Sequence, residues 1–174
     1  MHETYDERRF IAAPREWAAE VARARAAAGD RLYGLFRGQI GLDANEGILL
    51  AVSGGAAPGG TRMVATARPV EPKPPAWRPG VYAFRSFEVR AADADEFVDL
   101  SVRAWPGFES GYDAQIIGLW RSLEVAAPEA RFHLLTRYAS LAVWEASRAD
   151  TGKPEFARRA ALTRATRVVT ATLA

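Results

Sequence analysis

Gly34-Leu35-Phe36-Arg37 returns later in the chain as Gly118-Leu119-Trp120-Arg121, and this echo decides the fold. Upstream, Arg8-Arg9-Phe10 returns as Arg85-Ser86-Phe87. Downstream, Leu49-Leu50 returns as Leu134-Leu135, and Arg62-Met63-Val64-Ala65-Thr66 is echoed by Arg167-Val168-Val169-Thr170-Ala171. The matches keep one order in both halves, as an internal repeat does.

Around these anchors each half reads as strand, helix, two hairpin strands and a closing strand. In residues 1–70, strands are predicted over Arg8–Ile11, Arg31–Ile40, Gly47–Val52 and Arg62–Arg68. A helix opening at Pro14 carries Trp17, Val21, Ala24 and Ala28 on one face and stops at Gly29-Asp30. The second helix of this half is expected to have shrunk into the glycine-rich run Gly54–Gly60. Residues 71–80, with Pro72, Pro74, Pro75 and Pro79, read as a stiff linker. In residues 81–174, strands are predicted over Val81–Val89, Ala114–Arg121, Arg131–Tyr138 and Thr166–Leu173. The first helix there buries Phe97, Leu100, Ala104 and Phe108. Ser140 caps a second, with Leu141 and Trp144, and Pro154 opens a third, with Phe156, Ala160 and Thr163 on one face.

Strand, helix, strand, strand, helix, strand is the ferredoxin-like order. One such module leaves a sheet face bare, so two in one chain can cover each other. The expected fold is α+β: two tandem ferredoxin-like modules packed sheet to sheet as an intramolecular barrel.

With 174 residues, 49% hydrophobic and 25% charged, the chain has the makeup of a globular protein. No apolar run approaches the roughly 20 residues of a membrane helix, and the acidic start Met1–Glu7 is unlike a signal peptide. A cytoplasmic location is the simplest expectation. Cysteine is absent, which excludes disulfides, thiolate metal sites and a thiol nucleophile. Net charge is +2, and the basic residues are almost all arginine, Lys73 and Lys153 excepted. They are interspersed with acids, so no basic face for nucleic acid is expected.

The stretch from Gly118-Leu119-Trp120-Arg121 through Arg131-Phe132-His133-Leu134-Leu135-Thr136-Arg137-Tyr138-Ala139-Ser140-Leu141-Ala142-Val143-Trp144-Glu145-Ala146-Ser147-Arg148 resembles the NIPSNAP family, within the dimeric α/β-barrel superfamily. Gly34–Arg37, Ile40-Gly41-Leu42 and Asn45-Glu46 resemble a divergent copy. The resemblance implies the ferredoxin-like fold and paired modules, with little defined chemistry. Related barrels include cofactor-independent monooxygenases, haem-binding enzymes and small-molecule isomerases.

Candidate residues follow from strand parity. His133, the histidine outside the tail that holds His2, is either a general base or haem ligand or a hydrogen-bonded strand residue. Tyr138 is a second proton-handling candidate. Arg85 shares the parity of Ala83 and Phe87; facing an apolar layer, it must line a polar cavity or bridge to an acid such as Glu46 or Glu124. Arg137 is a second candidate to hold an acidic substrate, and Trp120 to wall a pocket for a flat ligand. No cofactor is expected, with haem as the alternative. Asp93, Asp95, Glu96 and Asp99 read as a solvated helix start rather than a metal site.

These features suggest a protein of undefined activity that binds a small apolar or aromatic ligand between sheet and helices. The alternatives are a cofactor-independent monooxygenase or isomerase and a non-enzymatic scaffold. A cavity of about 300 Å³ or more beside Arg85 and His133 would favour ligand binding or catalysis. The expected assembly is a monomer or homodimer.

Overall fold

Alternating inward and outward side chains build eight strands. They are β1 (Thr4–Ile11), β2 (Leu32–Ile40), β3 (Glu46–Val52), β4 (Thr61–Ala65), β5 (Val81–Arg90), β6 (Ala114–Ser122), β7 (Glu129–Tyr138) and β8 (Thr163–Leu173). Four helices join them: α1 (Trp17–Ala28), α2 (Ala94–Gly111), α3 (Leu141–Ala149) and α4 (Pro154–Leu162). This computed structural model describes residues 3–53, 60–149 and 153–174. His2 and residues 54–59 of the expected glycine loop lie outside the described residues.

The strands form one closed antiparallel barrel in the order β1-β3-β2-β8-β5-β7-β6-β4. Within the first half the order is β4-β1-β3-β2, and within the second it is β8-β5-β7-β6. The halves are not two separate sheets laid face to face. They join edge to edge, where Phe36 pairs with Leu173 between β2 and β8 and Val64 with Arg121 between β4 and β6. Edge joining satisfies the backbone groups that four open edges would leave bare.

The repeated Gly-Leu-aromatic-Arg motif has a packing cause. Residues two apart on a strand share a face. Each aromatic ring folds back over the glycine two positions before it. A Cβ on Gly34 would lie 2.7 Å from the Phe36 ring, and one on Gly118 2.3 Å from the Trp120 ring. Each glycine also follows a register shift against the neighbouring hairpin strand, between Leu32 and Gly34 in β2 and between Ile116 and Gly118 in β6. The bulge and the ring therefore recur together in both halves.

The barrel interior holds Tyr5, Tyr33, Phe36, Tyr82, Phe84 and Trp120 in mostly edge-to-face contact. Trp77 of the linker joins them, 5.4 Å from Phe36 and 5.5 Å from Tyr82 between ring centroids. The proline-rich segment thus does more than space two halves; it contributes a ring to the barrel core. Outside, α1 covers Phe10, Leu35 and Leu49, while α2, α3 and α4 cover β5, β6 and β7. The stripe Phe97, Leu100, Ala104 and Phe108 is buried, with Ser101 and Trp105 beside it. Thr163 begins β8 instead of ending α4; its Oγ1 donates to Arg159 O at 2.9 Å and closes the helix there. Among the described residues no helix is long and apolar enough to cross a membrane.

Candidate functional site

The parity of β5 divides the functional residues between two cavities. Ala83, Phe87 and Val89 pack under the helices, whereas Tyr82 and Phe84 belong to the barrel interior. Arg85 takes the outward parity and Ser86 the inward one.

The outer cavity, of about 670 Å³, lies between the sheet and the helices α2, α3 and α4. Arg85, Phe87, Trp105, Tyr138, Phe156 and Arg159 are among its walls. The Arg159 guanidinium sits 5.1 Å from the Phe87 ring, 5.7 Å from Phe97 and 5.3 Å from Phe156. Its Nη1 donates to Ser101 Oγ at 3.3 Å. Burial, and then the charge of Arg85, bring Arg159 down to about 10 from the usual arginine value. Burial also lowers Arg85, with Arg148 adding to the effect and Tyr138 opposing it. Burial raises the Tyr138 phenol, while Ser147 and Arg85 pull it the other way. Neither Arg85 nor Arg159 has a carboxylate in ion-pair contact among the described residues. The bridges considered for Arg85 are not formed: Glu46 pairs with Arg9 at 3.5 Å, and Glu124 accepts from the Arg62 backbone N–H at 3.2 Å.

The inner cavity, of about 710 Å³, lies within the barrel. Glu7, Phe84, Ser86, Trp120, His133 and Arg167 are among its walls. His133 Nδ1 faces Glu7 Oε2 at 3.6 Å. His133 Nε2 and Trp120 Nε1 are buried without a hydrogen-bond partner.

The inner cavity, lined by both Arg85 and His133, is of the size expected of a cavity beside that pair. Arg85 lines both cavities, but its charged neighbours Arg148 and Arg159 lie on the helix side. His133 and Tyr138 stand on opposite faces of β7 and cannot share a site. Trp120 walls the barrel, not the space under the helices. Arg137 has the inward parity, yet its guanidinium is taken: it donates to Asp113 Oδ1 and twice to Pro79 O. Its expected place on a ligand is therefore filled by structure.

Arg159 was not among the sequence candidates. The available signal is its position three residues after Phe156, on the apolar side of α4. Among the described residues no group of three His, Asp or Glu side chains could hold a metal ion. Asp93 and Glu96 instead pair on the surface with Arg90 and Arg158, each at 2.7 Å. His133, the expected haem ligand, lines the inner cavity and not the outer one. In the outer cavity Arg85, Arg148 and Arg159 could meet haem carboxylates, but the walls include no histidine.

No protein-family model matches the chain, and no curated protein matches it. Several solved structures do. A ferredoxin-fold protein from Listeria monocytogenes, described as related to antibiotic biosynthesis monooxygenases, is 10% identical with a TM-score of 0.61, over 100% of this chain and 96% of its own. The haem-degrading enzyme LmHde of Listeria monocytogenes is 11% identical with a TM-score of 0.57, over 97% and 99%. An anthrone oxidase-like protein is 12% identical with a TM-score of 0.62, over 100% and 92%. The likeness is one of fold: a ferredoxin-like α+β chain. No family model supports the narrower resemblance to NIPSNAP proteins.

Proposed function

We propose that the chain binds a small anionic ligand with an apolar or aromatic body in the outer cavity. One observation carries this reading: Arg85 and Arg159 line the same cavity with no carboxylate paired to either among the described residues. Two like charges in a poorly hydrated space oppose each other, and an anion between them relieves both. Guanidinium–carboxylate hydrogen bonds are among the stronger ones available. The rings of Phe87, Trp105 and Phe156 supply an apolar wall. Tyr138, held protonated by burial, can donate from the β7 side. The cavity volume lies within the usual range for small-molecule sites, which supports ligand binding over a plain scaffold.

The test is thermal denaturation with a panel of aromatic carboxylates and their amides. Carboxylates should raise the melting temperature, amides should not, and Arg85→Met or Arg159→Met should abolish the difference. An equal response to both classes would overturn the reading.

A second reading is cofactor-independent oxygenation of an acidic phenol or enol. The names of the first and third structural relatives above favour it. Here Arg85 and Arg159 would hold the substrate anion, whose own electrons reduce dioxygen. Oxygen uptake on adding an anthrone, absent in Arg159→Met, would support it. The matching strand orders of residues 1–70 and 81–174, joined by 71–80, support reading the chain as two tandem ferredoxin-like modules. Closure within one chain then allows a monomer, or a homodimer through the outer faces.

A further inference from the structure

We propose that the barrel interior is a second ligand site, separate from the outer cavity, and that it takes a small hydroxylated carboxylate. Four strands show the same gradient along the inner wall. β1 runs from Tyr5 to Glu7 and Arg9, β5 from Phe84 to Ser86 and Glu88, β7 from Leu135 to His133 and Arg131, and β8 from Val169 to Arg167. The cavity is therefore apolar towards the ring network and ionic at its mouth.

The ionic groups are mostly matched. Arg131 Nη2 donates to Glu88 Oε1 at 2.7 Å, and Arg9 pairs with Glu46. Arg167, exposed at the mouth, has no ion pair among the described residues and can take a carboxylate.

Deeper in, two buried polar atoms have no partner: Trp120 Nε1 and His133 Nε2. Trp120 and His133 are directly opposed across β6 and β7, so both act on the same small volume. The indole N–H can only donate. With His133 Nδ1 turned to Glu7, the Nδ1–H tautomer leaves Nε2 as an acceptor. A ligand hydroxyl answers both at once, accepting from Trp120 and donating to His133. Phe84, Leu50, Met63 and Leu135 then line the space for its apolar body.

The tryptophans make the site testable, because Trp120 lines the barrel and Trp105 the outer cavity. Indole N–H resonances of the full chain are followed by NMR during titration with 4-hydroxybenzoate, and separately with benzoate. The Trp120 resonance is assigned in the unmodified chain through its sequential and side-chain couplings. The Trp120 resonance and the His133 ring nitrogens should shift with 4-hydroxybenzoate, with at least tenfold weaker affinity for benzoate. Arg159→Met should leave this event intact, whereas His133→Phe should weaken it at least tenfold. A silent Trp120, or equal affinity for the two acids at Trp120, overturns the proposal. The comparison of acids needs only the unmodified chain, so a variant that fails to fold does not remove the test. A shift at Trp105 alone supports the outer site and rejects this one; a shift at Trp120 alone does the reverse.

Discussion

His133 Nδ1 and Glu7 Oε2 lie 3.6 Å apart across the barrel, although β7 and β1 are separated in the sheet by β6 and β4. The contact joins the two halves through the interior rather than through the strand ladder. At that distance the carboxylate acts on the imidazole through its charge rather than through a hydrogen bond. Glu7→Ala removes the negative charge that favours a proton on Nδ1. The Nε2–H form should then gain population, read from the imidazole nitrogen chemical shifts. Unchanged shifts would show that Glu7 does not set the ring.

Arg159 should be a residue that the empty protein would be more stable without. Burial lowers its guanidinium to about 10, below the value of the free side chain. Between those values the unfolded chain holds a proton that the folded chain has released, so this residue's contribution to stability rises with pH. Below about pH 10 both states are charged, and the full cost of burying the charge stands. Arg159→Met keeps most of the contact with Phe87, Phe97 and Phe156 and removes that cost. Without ligand at pH 7 the variant should gain on the order of 1 kcal/mol, or roughly 2–4 °C in Tm for a chain of this size. A drop in Tm would mean that the ring contacts outweigh the charge penalty.

The Gly118–Trp120 pair should behave as one unit. Trp120 is 1% exposed and packs against Tyr5 and Tyr33. Trp120→Ala should therefore cost roughly 3–5 kcal/mol. Gly118→Ala sets a methyl group against the same ring and should cost about 1–3 kcal/mol. With the ring gone, the atoms nearest the added methyl are gone too, so the double variant should be more stable than the sum of the single losses predicts. Denaturant unfolding of the four proteins closes the cycle; strict additivity would show that the ring does not rest on Gly118.

The parts of the fold set by local periodicity were legible in the sequence. The strands, the buried stripe of α2 and the strand-helix order all follow from which side chains alternate and at what spacing. The recurring motif was legible because a ring over a glycine leaves a recognisable pair in both halves. Three things were not. That the halves would join edge to edge depends on long-range pairing such as Val64 with Arg121, which no local pattern encodes. The division between two cavities was hidden because parity says that Arg85 and His133 alternate but not what lies behind each sheet face. Arg159 was missed because its proposed role depends on Arg85, brought near only when α4 packs over β5.

Arg137 is the clearest case of a candidate binding residue claimed by structure. Only 7% exposed, it spans Asp113 and the Pro79 carbonyl. It thereby fastens the end of the linker to β7, next to the start of β5. The backbone is equally tight there: Gly80 has φ +151°, and a Cβ on it would meet Tyr138 O at 2.2 Å. Arg137→Met should cost roughly 1.5–3 kcal/mol, the range for hydrogen bonds to charged groups. Arg137→Lys should recover little of it, because one ammonium cannot reproduce a planar fork that reaches a carboxylate and a carbonyl together. Asp113 is largely exposed, so Asp113→Asn should cost less than either change at Arg137. In all three variants ligand affinity, measured on the folded fraction, should stay within about twofold of the parent. A tenfold loss of affinity in Arg137→Lys, with Tm unchanged, would return Arg137 to the ligand site and reject the structural role.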